Sequence, residues 1–299
     1  MLRIGIDIGG TKTELAAFDE TGGERLRRRA ATPHVDYASA LENVAALVRG
    51  AERDLGAVAS VGVGLPGALS PRSGLVVNAY ATPYNGQPLK RDLERLLGRE
   101  LRFENDANCF ALSETHGGAA DGRRVVFGAI LGTGAGGGVV VDGRIVKGAN
   151  AIAGEWGHNP LPWMTPEEFP GPRCYCGRPG CIERFVSGPA LTEDHLRATG
   201  ERMAPADIAA RAAAGDAACA AALKRHAGRL ARALAHVINL LDPDIIVLGG
   251  GLSNFEHLYE AVPRLWSRFV YADSVATALA RAVHGDASGV RGAARLWEH

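Results

Sequence analysis

The chain has 299 residues, 46% of them hydrophobic, and its 33 basic and 33 acidic side chains give a formal net charge of zero. This composition excludes global disorder and a strongly basic nucleic-acid or membrane-surface binder, and the length predicts about two domains. Because no apolar run approaches the ~20 residues that span a bilayer and no signal peptide precedes the first strand, we expect a cytoplasmic protein with neither nucleic-acid nor membrane partners.

The first 118 residues alternate short apolar strands with helical segments, and glycines mark the turns. Ile4, Ile6 and Ile8 alternate with small or polar residues, which is typical of a strand, and Asp36 is placed to cap a following helix. The predicted elements are strands at 4–8, 13–18, 24–29, 60–64 and 101–104, and helices at 36–55, 89–97 and 106–114.

The same order of elements restarts after residue 118. The predicted elements are strands at 125–131, 139–141, 144–146, 245–248 and 276–283, glycine turns at 132–138 and 249–251, and helices at 256–269 and 285–297. The repeat predicts an α/β fold of two duplicated domains around a cleft. We expect a smaller domain, 1–118 with the C-terminal helix 285–299, and a larger one, 119–284, which carries the segment 154–183.

Two glycine loops occupy equivalent places in the repeat and indicate phosphate binding. Glycine between two strands lets backbone N–H groups approach a phosphate without a Cβ in the way. The candidate nucleotide-binding residues are Asp7, Gly9, Gly10, Thr11 and Lys12 in the first loop, Gly132, Thr133 and Gly134 in the second, and Gly249, Gly250 and Gly251 at a later turn. Asp7 is also a candidate ligand of Mg²⁺ through water. Taken singly, each loop is equally compatible with a plain tight turn.

Asn105 and Asp106 end a predicted strand and begin a helix. A carboxylate there is stabilised by the helix N-terminus and lies where open sheets usually present their ligands. The alternative is that Asp106 is simply an N-cap residue, which is common. A cleft lined by two phosphate-type loops favours the functional interpretation.

The segment 154–183 contains the most specific pattern in the chain. His158, Cys174, Cys176 and Cys181 supply one nitrogen and three thiolates, the ligand set of a closed structural zinc site. A redox C-x-x-C motif is absent, because one residue separates the first two cysteines. Glu155 and Glu183 flank the ligands, and paired carboxylates are good acceptors for the vicinal hydroxyls of a sugar, although ordinary surface acids are the alternative.

Over nearly the whole chain these motifs resemble the ROK family of sugar kinases and repressors. The matching motifs are DxGGTK at 7–12, the PG turn at 66–67, Asn78, the ND pair at 105–106, LGTGxGGG at 131–138, GExGH at 154–158, CxCGxxGCxE at 174–183 and GGG at 249–251. The resemblance implies the actin-like/hexokinase fold, ATP with Mg²⁺, a structural Zn²⁺ and a homodimer. It implies that Asp106 is the catalytic base, and that the sugar is bound by Gly67, Asn78, Asn105, Asp106, Glu155, His158 and Glu183.

Within that family, the stretch 154–163 looks like the bacterial fructokinase branch, whereas 108–114 and 251–255 look as much like the N-acetylglucosamine kinases. The stretch 78–84 departs from both and is expected to border the sugar. The prediction is an ATP-dependent hexose kinase that phosphorylates the 6-hydroxyl of fructose. The alternatives are N-acetylglucosamine kinase, or glucokinase or mannokinase, and, in another class, a sugar-responsive repressor, which the lack of residues ahead of the first strand disfavours.

Overall fold

The computed structural model describes residues 2–33, 36–79 and 82–298 and has the predicted mixed α/β fold of the actin-like/hexokinase class. The strands are β1 (Arg3–Ile8), β2 (Lys12–Phe18), β3 (Glu24–Ala31), β4 (Ser60–Leu65), β5 (Ala68–Leu69), β6 (Val76–Val77), β7 (Arg102–Asn105), β8 (Val125–Leu131), β9 (Ala135–Val141), β10 (Arg144–Ile145), β11 (Ile245–Gly249) and β12 (Ala278–Arg281). The helices are α1 (Tyr37–Leu55), α2 (Leu89–Leu97), α3 (Asp106–Glu114), α4 (Glu183–Val186), α5 (Gly188–Thr199), α6 (Pro205–Ala213), α7 (Ala217–Leu241), α8 (His257–Trp266) and α9 (Ser288–Arg295). Within the described ranges no helix is long and apolar enough to cross a membrane.

Two five-stranded sheets share one strand order, which confirms the duplication. The first sheet has the order β3-β2-β1-β4-β7 and the second the order β10-β9-β8-β11-β12. In each, the first strand of the half lies at the centre, and the later strands β4 and β7, or β11 and β12, add to it in parallel. The short strands β5 and β6 form a separate antiparallel pair.

The chain divides into two compact units. The first comprises 1–118, 138–153 and 284–299, and the second comprises 119–137 and 154–283. This division differs from the boundaries expected from the sequence, because 138–153 groups with the first unit. The cause is close contact: Gly138 lies against the backbone of Ala107, and Lys147 forms an ion pair with Glu104. The predicted division into a smaller and a larger domain therefore remains a prediction.

Helix α1 begins and ends as its sequence predicts. Asp36 accepts a hydrogen bond from the backbone N–H of Ser39 at 2.8 Å, and Gly56 ends the helix in the left-handed conformation at φ +65°. The buried face of the helix, which includes Val44 and Val48, belongs to the apolar core of the first sheet.

Helix α9 lies so close to the first sheet that glycine is required at the contacts. A Cβ at Gly5 would overlap the carbonyl oxygen of Val290, and a Cβ at Gly62 would overlap that of Ala293. Gly292 in turn lies against the backbone of Cys109 in α3. The helix therefore completes the first unit from the far end of the chain.

Ion pairs tie the segment before the cysteine cluster to helices α5 and α7. Glu168 accepts hydrogen bonds from Arg229 at 2.9 Å and Arg232 at 2.8 Å, and Arg229 also donates to Asp194 at 2.7 Å. Burial by itself would raise the pKa of Glu168, but the hydrogen bonds from Arg232 and Arg229 outweigh it and lower that pKa to about 2. The network therefore stabilises the fold fully above the usual Glu pKa and loses that stabilisation as the pH falls towards 2.

We expect Glu168→Gln to lower the free energy of unfolding by about 3–5 kcal/mol at pH 7, because it removes the carboxylate that pairs with buried Arg232 and one of the two that pair with Arg229. The variant should also lose less stability than the wild type between pH 4 and 2. Urea denaturation at pH 7 measures the first effect, and urea denaturation between pH 4 and 2 measures the second. Glu193→Gln, which removes a more exposed ion pair with Arg202, is the matched control and should cost less than about 1 kcal/mol. Equal losses in the two variants would contradict the prediction.

Several predicted elements begin or end elsewhere in the structure. The strand predicted at 139–141 is β9. It starts earlier, at Ala135, because the backbone of the three glycines at 136–138 is also part of the strand. The helix predicted at 256–269 is the shorter α8, which contains Pro263. The final helix is preceded by a 3-10 turn at Gly285–Ala287, and the strand predicted at 276–283 is confined to β12.

Candidate functional site

The first glycine loop is the turn between β1 and β2. The N–H of Gly9 donates to the carbonyl of Lys12 at 2.8 Å, and the hydroxyl of Thr32 donates to the carbonyl of Gly9 at 2.8 Å. The backbone N–H of Thr32 donates to the carbonyl of Thr11 at 3.0 Å. Thr32 thus holds the turn at two points, while the side chains of Thr11 and Lys12 stay exposed to solvent.

Asp7 lies in β1 just before this turn. Burial raises its pKa to about 6, the charge of Glu14 adds to that rise, and Lys12 opposes it. Glu14 itself is buried and forms ion pairs with Lys12, Arg27 and Arg29. A carboxylate whose ionised form is disfavoured by burial and by a like charge gains from a divalent cation. The predicted role of Asp7 towards Mg²⁺ therefore fits its surroundings.

The turn from β7 into α3 carries Asn105 and Asp106. The carboxamide oxygen of Asn105 accepts from the N–H groups of Ala107 at 2.9 Å and Asn108 at 3.2 Å, so Asn105 is the N-cap of α3. Asp106 is the first helical residue, and its Oδ1 accepts from the N–H of Ala107 at 2.8 Å. The alternative that Asp106 is the N-cap is therefore wrong, because its neighbour has that role.

Asn105 also joins the turn to a second predicted site residue. Its Nδ2 donates to the carbonyl of Gly67 at 2.9 Å, so both ends of its carboxamide are engaged within the protein. Gly67 has φ +76°, and a Cβ there would overlap the carbonyl oxygen of Val77. Asn78 follows β6 with φ +60°, a left-handed conformation that asparagine tolerates, and its side chain is exposed. The rest of the predicted sugar-bordering stretch is only partly covered, since Tyr80 and Ala81 lie outside the described residues.

The second glycine loop is hydrogen-bonded to the segment 154–183 and to the start of α5. The N–H of Gly188 donates to the carbonyl of Gly132 at 2.8 Å, and the indole N–H of Trp156 donates to the carbonyl of Gly136 at 2.8 Å. Glu183 accepts from the N–H of Ala135 at 3.1 Å through Oε2. Thr133 remains exposed at the tip of the turn. Trp156 was not singled out in the sequence, although it lies inside the GExGH motif.

Glu183 also accounts for the need for glycine at position 134 of the loop. A Cβ at Gly134 would lie 2.6 Å from the carboxylate oxygen Oε2 of Glu183. On its other side, Oε1 of Glu183 lies 4.0 Å from the sulfur of Cys174. The carboxylate therefore connects the glycine loop to the cysteine cluster.

The four predicted metal ligands come together in the structure. The donor atoms of His158, Cys174, Cys176 and Cys181 all lie within 4.8 Å of one another. Nδ1 of His158 is 3.6 Å from the sulfur of Cys174, and the sulfurs of Cys176 and Cys181 are 3.5 Å apart. Zinc–sulfur bonds of 2.3 Å in a tetrahedron give sulfur–sulfur separations of about 3.8 Å. Ligand type and spacing therefore both fit a closed zinc site.

Turn geometry returns the chain to this site. Gly177 and Gly180 have φ +90° and +75°, conformations that favour glycine, and the N–H of Gly177 donates to the carbonyl of Cys174 at 3.0 Å. Cys181 then pairs with Pro160 in an isolated antiparallel bridge. The bend brings Cys181 back beside the histidine.

His158 uses its two ring nitrogens differently. Nδ1 faces the thiols, while Nε2 lies 2.9 Å from the hydroxyl of Tyr175. Burial raises the pKa of Glu155, the charge of His158 lowers it and that of Glu183 raises it, so Glu155 lies within electrostatic range of both other predicted sugar ligands. Tyr175 is a site residue that the sequence interpretation missed, although its place between two cysteines was a usable signal.

The third glycine turn follows β11. A Cβ at Gly250 would lie 2.5 Å from the carbonyl oxygen of Leu131, so this glycine, at φ +78°, is required by packing. The N–H and hydroxyl of Ser253 both donate to the carbonyl of Gly250. Gly249 is buried at the end of the strand, whereas a Cβ on Gly251 would meet nothing within 4 Å. Of the three, Gly251 has the most open surroundings.

Comparison with known proteins finds relatives over almost the whole chain. The sequence model described as the ROK family matches residues 3–299. An N-acetyl-D-glucosamine kinase of Photobacterium profundum is 40% identical over 98% of each chain. A ROK hexokinase structure from Thermus thermophilus superposes with a TM-score of 0.87 at 33% identity, covering 98% of this chain and 97% of that one. A ROK glucokinase from Streptomyces griseus, solved with glucose and AMPPNP, gives a TM-score of 0.80 at 29% identity and 99% coverage of both chains.

Proposed function

The chain belongs to the ROK family and is an ATP-dependent sugar kinase, and on that premise we propose that its acceptor is the 6-hydroxyl of N-acetyl-D-glucosamine. The observation that carries this choice is the 40% identity to an N-acetyl-D-glucosamine kinase over 98% of both chains. The prediction of fructose, drawn from the stretch 154–163, receives no such support. The alternative reached from 108–114 and 251–255 fits better.

In the proposed mechanism Asp106 accepts the proton of the sugar hydroxyl as the γ-phosphoryl group leaves ATP. Phosphoryl transfer depends mainly on positioning and on stabilisation of charge. Asn105 supports Asp106 by capping α3 and by tethering the turn to the carbonyl of Gly67. Because the cap and the tether together engage both ends of the Asn105 carboxamide, we propose that Asn105 positions the turn in addition to its predicted contact with the sugar.

The remaining predicted ligands of the sugar and of ATP keep their proposed roles. Asn78, Glu155, His158 and Glu183 are proposed to bind sugar hydroxyls, and the three glycine turns to bind the nucleotide. Asp7 would hold Mg²⁺ through water, and the bound ion would supply neutralisation of charge on the phosphates. The zinc ligands would hold a structural ion, because four soft donors leave no open position for a substrate. The homodimer and the cytoplasmic location stay predictions.

A panel of sugars tests the proposed acceptor. We expect kcat/KM, measured by coupled ADP release, to be at least about tenfold higher for N-acetylglucosamine than for fructose, glucose, mannose or N-acetylmannosamine, a difference of about 1.4 kcal/mol in transition-state stabilisation. Hydrolysis of ATP without sugar is the baseline. A higher kcat/KM for fructose would contradict the proposal and restore the prediction from the sequence.

Gly132→Ala tests the second glycine loop. A Cβ at Gly132 would meet nothing within 4 Å, so the fold should accept it. If phosphate approaches the backbone here, the methyl group should weaken ATP binding by about 1.5–3 kcal/mol, the value of one hydrogen bond to a charged group. Calorimetric titration with AMPPNP measures the loss. Gly228→Ala, an equally open glycine inside α7, is the control and should leave nucleotide affinity unchanged. Unaltered affinity in the Gly132 variant would remove this loop from the nucleotide site.

A further inference from the structure

The carboxylate of Glu104 links the Asn105–Asp106 turn to a lysine that is distant in sequence. Glu104 lies in β7 and is only 8% exposed. Its Oε1 accepts from the backbone N–H of Asn105 and from Nδ2 of Asn108, both at 3.0 Å. Its Oε2 lies 2.8 Å from Nζ of Lys147, in an ion pair that is not an aligned hydrogen bond. One carboxylate thus holds the turn with one oxygen and the lysine with the other.

Negative charge accumulates around this point of the first unit. Burial raises the pKa of the Cys109 thiol, and the charges of Glu104, Asp7 and Asp106 raise it further, whereas Lys147 lowers it. Three carboxylates therefore act on one buried thiol, and Lys147 is a cation that offsets them. The Lys147 side chain is 59% exposed whereas that of Glu104 is 8% exposed, so the ammonium reaches the buried carboxylate from the solvent side.

We propose that Lys147 is a positioning residue for phosphoryl transfer: through Glu104 it fixes the turn that presents Asp106. The ion pair with Lys147 anchors Oε2 and so keeps Oε1 turned towards the N–H of Asn105 and Nδ2 of Asn108; without the lysine, the carboxylate loses that anchor. Displacement of a catalytic group by about 1 Å costs up to about 10²-fold in rate. The inference rests on the proposed function, in which Asp106 accepts the proton.

Amide hydrogen exchange tests the positioning without any turnover. In Lys147→Met the amides of residues 105–108 should exchange on the order of tenfold faster, equivalent to weakening one hydrogen bond to a charged group. Lys147→Arg keeps the charge and should retain wild-type protection. In the double variant Glu104→Gln/Lys147→Met, the neutral amide needs no cation and its carbonyl oxygen still accepts, so protection should return.

Steady-state kinetics test the consequence for the reaction. Lys147→Met should lower kcat by about 10- to 100-fold while the KM for ATP stays near the wild-type value. The double variant should recover most of that loss, a non-additivity that identifies coupled residues. Lys90→Met is the matched control, because Lys90 pairs with Glu94, whose Oε1 accepts the N–H of Leu101 before the other end of β7. That variant should lose stability but keep kcat.

Each result decides between explanations. Wild-type kcat in Lys147→Met, or unchanged exchange at 105–108, overturns the proposal. A loss of kcat that the second substitution does not relieve also overturns it, in favour of direct contact between Lys147 and a substrate. If the wild-type protein phosphorylates none of the sugars in the panel, the proposed function fails, while hydrogen exchange still decides whether Lys147 holds the turn.

Discussion

Asp106→Asn is expected to lower kcat on the best sugar by at least about 100-fold, because general-base assistance contributes about 10²–10⁴-fold. Asparagine has the same size but carries no negative charge and accepts no proton. The cap of α3 is Asn105, which the substitution does not touch. We therefore expect melting temperature and ATP affinity to stay near their wild-type values, with only modestly weaker sugar binding.

The neighbouring residue provides the control for this experiment. Asn105→Ala removes the cap and the tether to Gly67, so it should cost about 1 kcal/mol of stability. Melting temperature measured beside kcat for both variants separates loss of chemistry from loss of the helix. If Asp106→Asn kept wild-type turnover, Asp106 would not be the base and the mechanism would have to change.

Cys176→Ala is expected to abolish stoichiometric zinc and to destabilise the protein. Structural zinc contributes about 10–16 kcal/mol of apparent binding free energy in zinc-finger peptides, and that energy is also folding energy. Loss of even a quarter of that energy would lower the free energy of unfolding by about 3 kcal/mol, so we expect at least this loss when the ion is no longer held. Metal analysis and urea denaturation give the two quantities, and activity should fall with them.

The matched control is a cysteine outside the cluster. Cys219 is buried in α7, and its sulfur lies 3.5 Å from Nε2 of His195. Cys219→Ala should therefore keep one zinc per chain, although it can cost some core stability. Purified wild-type protein without zinc, with thiols that react freely in the native state, would show that the cluster does not hold the ion.

Local patterns account for the parts of the fold that the sequence predicted well. The cap at Asp36 and the glycine at 56 lie within one turn of the ends of α1, so the helix bounds can be read from nearby residues. Helix α3 spans 106–114 as predicted, because a strand, a cap and an apolar segment follow one another directly. The common strand order of the two sheets follows from the repeated order of elements.

Contacts between residues distant in sequence account for what could not be predicted. Residues 138–153 group with the first unit through Gly138 and Lys147, and nothing in the segment itself indicates that partner. The early start of β9 reflects pairing in a sheet, which overrides the weak strand preference of glycine.

The candidate site likewise contains features that the sequence predicted and features that it could not predict. The zinc ligands were found because their spacing is short and their residue types are distinctive, and the structure brings their donor atoms together. Trp156 and Tyr175 lie inside the recognised motifs, but the bond from Trp156 to Gly136 and the contact of Tyr175 with His158 depend on side-chain directions that only the structure shows. The hydrogen bond from Nδ2 of Asn105 to the carbonyl of Gly67 likewise forms only because the fold places β7 beside the turn at Gly67.

The position of α9 has a consequence for the order in which the protein can fold during synthesis. The surfaces of β1 and β4 around Gly5 and Gly62 are shaped for a helix that begins at Ser288, about 170 residues after the N-terminal stretch ends at 118. At a translation rate of about 5–20 residues per second, the ribosome needs roughly 8–35 s to make the intervening chain. During that interval Ala16 and Phe18 lack their apolar partners in α9, so this surface of the nascent N-terminal stretch stays exposed until the last helix emerges.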